Sequence, residues 1–158
     1  MKKKEKTIGY YTAKLATLTD ARLKNLIQTS IEFAANAYAP YSKFHVSAVA
    51  RLTNGEVIKG ANMENASYPV CICAERNLLS TVVSNFPNEK IVDIAVYVDK
   101  DLGVPVPPCG LCRQTLVEVE LRQKAPIRLS MVAKNGDIII VDSCLDLLPW
   151  SFDGTYLD

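Results

Sequence analysis

Residues 91–98 read IVDIAVYV, and Asp93 is the only charged residue among them. A strand wetted on one face alternates apolar with polar residues, whereas a strand covered on both faces has no need to. This stretch is therefore expected as a central strand, with helices on each side of its sheet.

The flanking sequence supplies those layers. Residues 74–85 place Leu78, Leu79, Val82 and Val83 at helical spacing, Phe86 extends the stripe, and Pro87 lies beyond its end. A further helix is predicted from Cys109 or Gly110 to Gln123. Upstream, Leu23, Leu26, Ile27, Ile31, Ala34, Ala37 and Tyr38 recur every three or four residues. With Thr19 as cap and Pro40 as stop, they predict an amphipathic helix of about five turns. Runs 46–52 and 57–61 flank Thr53-Asn54-Gly55-Glu56, and runs 127–133 and 138–141 flank Asn135-Gly136-Asp137. Asn-Gly between two apolar runs is the strongest short-range hairpin signal. Residues 143–148 read as a short terminal helix ended by Pro149. The order helix, hairpin, helix, strand, helix, hairpin predicts an α/β fold, a three-layer sandwich around a mixed five-stranded sheet with helices on both faces. Right-handed crossovers set the second and third helices side by side on one face.

A chain of 158 residues fits one domain, which at this length buries roughly 68–70% of its unfolded surface. The expectation is a single domain over residues 1–158, with residues 1–8 as a basic, mobile tail. Its 18 basic and 17 acidic side chains nearly balance, and the basic excess sits mainly in Lys2, Lys3, Lys4 and Lys6. Net charge therefore gives no grip on a nucleic-acid polymer. No apolar run approaches the ~18–20 residues that span a bilayer, and no signal-peptide hydrophobic region follows the lysines. A cytoplasmic location is expected, with five cysteines kept reduced and some of them given a metal or catalytic task. His45 is the single histidine. A serine or cysteine nucleophile would have to use it as base, and its neighbours Phe44 and Val46 give no sign of that pairing.

The chemistry lies in VCICAERN, residues 70–77, and PCGLC, residues 108–112. Cys73 starts the second helix as Cys109 starts the third, so two adjacent helix N-termini bring Cys73, Cys109 and Cys112 toward one point. Cys109 and Cys112 rise from one turn, and Gly110 lets the backbone close in. Three thiolates suit Zn²⁺, and an open fourth position marks a catalytic site rather than a structural one. The alternative is a closed four-sulfur knot that includes Cys71. Against it stand the short C-x-C spacing of Cys71 and Cys73, a chain long enough to fold without a staple, and Glu75. Residues two apart in a helix point about 200° away from each other. Glu75 can share a site with Cys73 only if Cys73 occupies the cap position with non-helical dihedrals. Three thiolates overcompensate the zinc charge. The helix N-termini offset part of the excess, and Arg76 is placed to donate hydrogen bonds to the sulfurs.

CAER at 73–76 together with PCGLCRQ at 108–114 resembles the zinc-dependent cytidine deaminases of the small, three-cysteine, homotetrameric kind. The likeness runs from residue 37 to residue 152 and includes APYSKF (39–44), GANMENAS (60–67) and LLPWSF (147–152). It implies one Zn²⁺ per subunit and hydrolytic deamination of cytidine and deoxycytidine to uridine and deoxyuridine with release of ammonia, a reaction of pyrimidine salvage. In that scheme Glu75 takes a proton from the attacking water and delivers protons to N3 and to the leaving ammonia. The Ala74 N–H holds the pyrimidine O2. Asn62 and Glu64, two apart and hence on one side of an extended segment, match the family's grip on ribose hydroxyls. Phe44 resembles the aromatic lining the pocket, and Phe152 one that reaches into a neighbouring subunit's site. The implied partner is a small nucleoside, with no polymer and no membrane, in a homotetramer with composite sites.

The sequence departs from the family's usual pattern at His45, Ser47 and Cys71, where proline, glycine and threonine are common, and in its ending DGTYLD. Deamination of another aminated heterocycle, such as a nucleoside antibiotic, and a non-catalytic four-cysteine zinc module are the competing functions.

Overall fold

The computed structural model describes residues 1–157; Asp158, the last position of the expected domain, lies outside them. In chain order the elements are β1 (Tyr11–Lys14), α1 (Ala21–Phe33), β2 (Val46–Leu52), β3 (Val57–Ala61), α2 (Ala74–Asn85), β4 (Ile91–Val98), α3 (Gly110–Gln123), β5 (Arg128–Val132) and β6 (Asp137–Val141). The sheet runs in the order β1-β6-β5-β4-β2-β3. β4 lies parallel to β5, and the other neighbouring pairs are antiparallel.

β4 is the central strand its composition predicts. Ile94 and Val96 enter a core beneath α2 and α3, while Ala95 and Tyr97 enter a second core beneath α1. The three-layer α/β architecture follows, and α2 and α3 share one face. The sheet, however, has six strands rather than five. The extra strand is β1, paired antiparallel with β6 from Tyr11 opposite Ile140 to Lys14 opposite Asp137. Its sequence, YTAK, buries none of its residues fully. An edge strand of this kind is recruited by the backbone ladder of its neighbour and needs no apolar alternation of its own.

Three element ends also differ from expectation: α1 stops at Phe33 and gives way to a 3₁₀ turn, Ala34–Asn36, short of the expected Tyr38. The cap of α1 is Asp20 rather than Thr19: its carboxylate accepts the Leu23 N–H at 3.0 Å and also meets Arg128 at 3.2 Å. A charged acceptor engaged twice outcompetes the neighbouring hydroxyl. Residues 143–148 give only a 3₁₀ turn, Cys144–Leu147, because the residue before Pro149 is driven out of helical dihedrals.

Two close contacts lock the layers. Gly60 of β3 lies hard against α2: a Cβ there would stand 2.6 Å from the Leu78 N and 2.7 Å from the Ala74 O. The buried Glu120 of α3 accepts the Ile127 N–H at 2.9 Å, the Cys144 N–H at 2.7 Å and the Ser143 hydroxyl. It thereby ties α3 to the start of β5 and to the 3₁₀ turn.

Candidate active site

The carboxyl ends of β3 and β4 and the amino end of β2 gather at one end of the sheet. That is where an open α/β sheet leaves a crevice. The segment after β3 is held there by backbone pairing, Met63 with Ile72 at 2.9 and 3.0 Å and Glu64 N with Tyr38 O at 2.8 Å. It delivers Cys73 to the start of α2, and the segment after β4 delivers Cys109 to the start of α3.

Cys73 is the N-cap of α2 with φ −69° and ψ 152°, the non-helical dihedrals its pairing with Glu75 requires. Cys109 is the N-cap of α3 with φ −65° and ψ 168°. Neither side chain caps its own helix, so both sulfurs are turned to a common point, where the buried Cys112 joins them. The three Sγ atoms lie within 4.8 Å of one another, with Cys73 to Cys109 at 3.9 Å and Cys109 to Cys112 at 3.5 Å. Tetrahedral zinc with sulfur at about 2.3 Å sets its ligands about 3.8 Å apart. The donor set and its spacing fit that ion.

Cys71 is not part of this cluster. Its Sγ accepts the Asn65 N–H at 3.2 Å, and the four-sulfur knot does not form. Electrostatics separate the grouped thiols. Cys73 is drawn down to about 6, chiefly by the hydrogen bond from the Cys112 thiol, against the opposing effects of burial and Glu75. Cys112 is pushed up by that same hydrogen bond and by burial. Cys73 stands at a helix N-terminus, where anions are favoured. Arg76 contributes through space to lowering Cys73; among the described residues no hydrogen bond joins its guanidinium to a sulfur.

A cavity of about 300 Å³ opens over the cluster, lined by Phe44, Asn62, Glu64, Cys73, Ala74, Glu75 and Cys109. Glu75 is only 5% exposed. Burial raises its carboxyl above the ordinary value of 4.5, partly countered by hydrogen bonds from its own N–H and from Cys112. Val96, Val98, Val106 and Pro107 also line the cavity, an apolar contribution to the site that the sequence did not single out.

Asn62 and Glu64 line the cavity with part of their capacity already committed. The Asn62 amide donates to the Phe44 carbonyl and accepts the Val46 N–H, both at 2.8 Å. Glu64 accepts the N–H groups of Tyr41 at 2.9 Å and Ser42 at 3.2 Å, and the Ser42 hydroxyl as well. Phe152 lies apart from this cavity. Its ring stacks on Tyr156 with centroids 5.7 Å apart, and its carbonyl accepts from Gln114 at 2.8 Å. Ser47 is buried and its hydroxyl donates to the Ser30 carbonyl on the α1 side of the sheet, so it does not narrow the cavity. His45 anchors the rim through its carbonyl, which accepts the Asp99 N–H at 2.9 Å.

Comparison with known proteins places these residues in a wider set. The family model for the cytidine and deoxycytidylate deaminase zinc-binding region matches residues 20–125. A cytidine deaminase of Halalkalibacterium halodurans is 40% identical over 127 residues, 80% of this chain and 91% of the relative. The crystal structure of a cytidine deaminase from Burkholderia pseudomallei superposes with a TM-score of 0.71 at 35% identity, covering 81% of this chain and 97% of that one. One from Mycobacterium tuberculosis gives 0.67 at 30% identity, covering 84% and 98%.

Proposed function

The chain belongs to the cytidine and deoxycytidylate deaminase family, and on that premise we propose that it deaminates cytidine and deoxycytidine hydrolytically, with Zn²⁺ held by Cys73, Cys109 and Cys112. The observation that carries this reading is the buried carboxyl of Glu75 beside three converging sulfurs at the base of a nucleoside-sized cavity.

Zinc bound by the three thiolates supplies Lewis acidity that makes water nucleophilic near neutral pH. Glu75 accepts the proton of the attacking water and carries it to N3 of the base. It then takes the proton of the new C4 hydroxyl and delivers it to the amino group, so that the C4–N bond breaks, the C4 carbonyl forms and ammonia leaves. A raised carboxyl pKa suits a group that must both accept and return a proton. The Ala74 N–H belongs to the first turn of α2, has no partner within the helix, and lines the cavity, where it would hold the pyrimidine O2. Asn62 keeps one N–H and Glu64 keeps acceptor capacity on Oε1 after their commitments to the Tyr41–Phe44 and Val46 backbone. One donor beside one acceptor matches a single sugar hydroxyl, and Phe44 walls the sugar and base. Arg76 moderates the excess negative charge of the sulfurs.

The enzyme works as a homotetramer in the cytoplasm, with Phe152 presented to a neighbouring subunit. In support, Phe152 is 58% and Trp150 90% exposed in the single chain, large apolar side chains that favour burial in an interface. Among the described residues no helix is long and apolar enough to cross a membrane. The decisive experiment incubates purified protein with cytidine and follows the ultraviolet change to uridine before and after chelation. Turnover that survives complete zinc removal would overturn this function.

A further inference from the structure

The segment from Ala39 to Phe44 is a constrained piece of irregular backbone beside the cavity. Lys43 sits in the left-handed region at φ 56°, a conformation that an L-residue with a long side chain adopts only at a cost. Such strain persists where surrounding contacts over-determine it, and it concentrates at functional sites. The contacts are present. Lys43 N bonds to Ala39 O at 3.1 Å, Glu64 holds the amides of Tyr41 and Ser42, and Asn62 holds the carbonyl of Phe44 at 2.8 Å. The Phe44 N–H is taken by the Ser42 Oγ at 3.0 Å.

The direction of these bonds is fixed by chemistry. A carboxylate only accepts, so the Ser42 hydroxyl must donate to Glu64 and use a lone pair for the Phe44 N–H. We propose that Ser42 is a positioning residue: its hydroxyl joins the Glu64 carboxylate to the Phe44 amide, so that the sugar-facing acid and the aromatic wall hold one fixed separation. This rests on the nucleoside-deaminase reading above and adds a residue that touches neither substrate nor metal. The Ser42 hydrogen bond is also the largest cause holding the Glu64 carboxyl below its ordinary value. Lys100 places its ammonium 5.7 Å from the Phe44 ring centroid, a cation–π contact with the same residue whose backbone Ser42 holds.

The test compares Ser42→Ala with Ser42→Thr, which keeps a hydroxyl, in the full-length zinc-loaded protein. In Ser42→Ala the Phe44 amide should exchange its hydrogen about tenfold faster, and KM for cytidine should rise about tenfold with kcat within about twofold. Ser42→Thr should restore both. Zinc content should match the parent, which separates positioning from loss of the metal. Unchanged exchange over residues 41–44 in Ser42→Ala overturns the proposal whatever the activity. So does a kcat that falls in step with a lowered denaturation midpoint while KM stays fixed, because that is a general loss of structure. If the parent protein itself fails to turn over cytidine, the functional reading fails, and amide exchange alone decides the positioning role.

Discussion

Cys73 and Glu75 stand two positions apart and yet line the same cavity, because Cys73 caps α2 with φ −69° and ψ 152° while Glu75 lies in its first turn. Had the helix begun one residue earlier, their side chains would point about 200° apart. The helix start therefore decides whether a buried carboxyl meets the sulfur cluster.

Replacing Glu75 with Gln tests that meeting. The amide keeps the shape but cannot accept and return a proton, so kcat should fall by about 10²- to 10⁴-fold. Zinc content, measured by atomic emission, should stay at the parent level, because Glu75 is not among the three clustered donors. A variant that loses metal together with activity would instead make Glu75 a ligand.

The three-sulfur grouping separates Cys71 from the others. Cys71→Ser should bind zinc as the parent does, since its sulfur is engaged with Asn65, whereas Cys109→Ser and Cys112→Ser should lose most of it. Chelation of the parent should also lower the denaturation midpoint, and added zinc should restore it in a concentration-dependent way. Equal zinc loss in all three variants would revive the four-sulfur arrangement.

Much of this was legible in the sequence because it is local. IVDIAVYV announces burial on both faces, and Asn-Gly at 54–55 and at 135–136 marks the hairpin turns. The cap geometry of Cys73 follows from its spacing to Glu75 once both are assigned to one site. What sequence could not show depends on distant partners. β1 exists because β6 presents a ladder, and the commitments of Asn62 and Glu64 to the 41–46 backbone depend on loops meeting in space. Gly60 did carry a signal, since glycine inside a strand often marks a close backbone approach. Glu120 carried none, as helical charge is usually solvated.

Glu120 makes that contrast measurable. Glu120→Ala leaves the buried amides of Ile127 and Cys144 without their acceptor. Each such orphaned donor costs about 1–3 kcal/mol. The urea midpoint should drop accordingly, while KM for cytidine in the folded fraction stays near the parent value, because Glu120 does not line the cavity. An unchanged midpoint would show that water takes over both amides.

Acid sensitivity should trace in part to Asp20. Its carboxyl is held below the ordinary value of 3.8, first by the Leu23 N–H and further by Arg128. A folded-state pKa below the unfolded one gives stability that is fully present above the unfolded value and is lost as pH falls through the folded one. Denaturation midpoints of the parent should decline below about pH 4, and Asp20→Asn should flatten that decline while lowering the midpoint slightly at neutral pH. Parallel curves for the two proteins would remove Asp20 from the acid limb.

Gly60 gives the sharpest test of how the fold sets the site. The atoms that a Cβ would strike, Leu78 N at 2.6 Å and Ala74 O at 2.7 Å, are both backbone of α2, and backbone cannot swing aside as a long side chain can. In Gly60→Ala the helix must lift from β3, and overpacking of this kind costs about 1–3 kcal/mol. The displaced turn carries Ala74 and Glu75 and adjoins Cys73, so kcat should fall by more than the stability loss explains, even where the protein remains folded and zinc-loaded. Gly60→Ala with parental kcat and midpoint would mean that α2 relaxes without moving its first turn, and that the close approach is not what places Glu75.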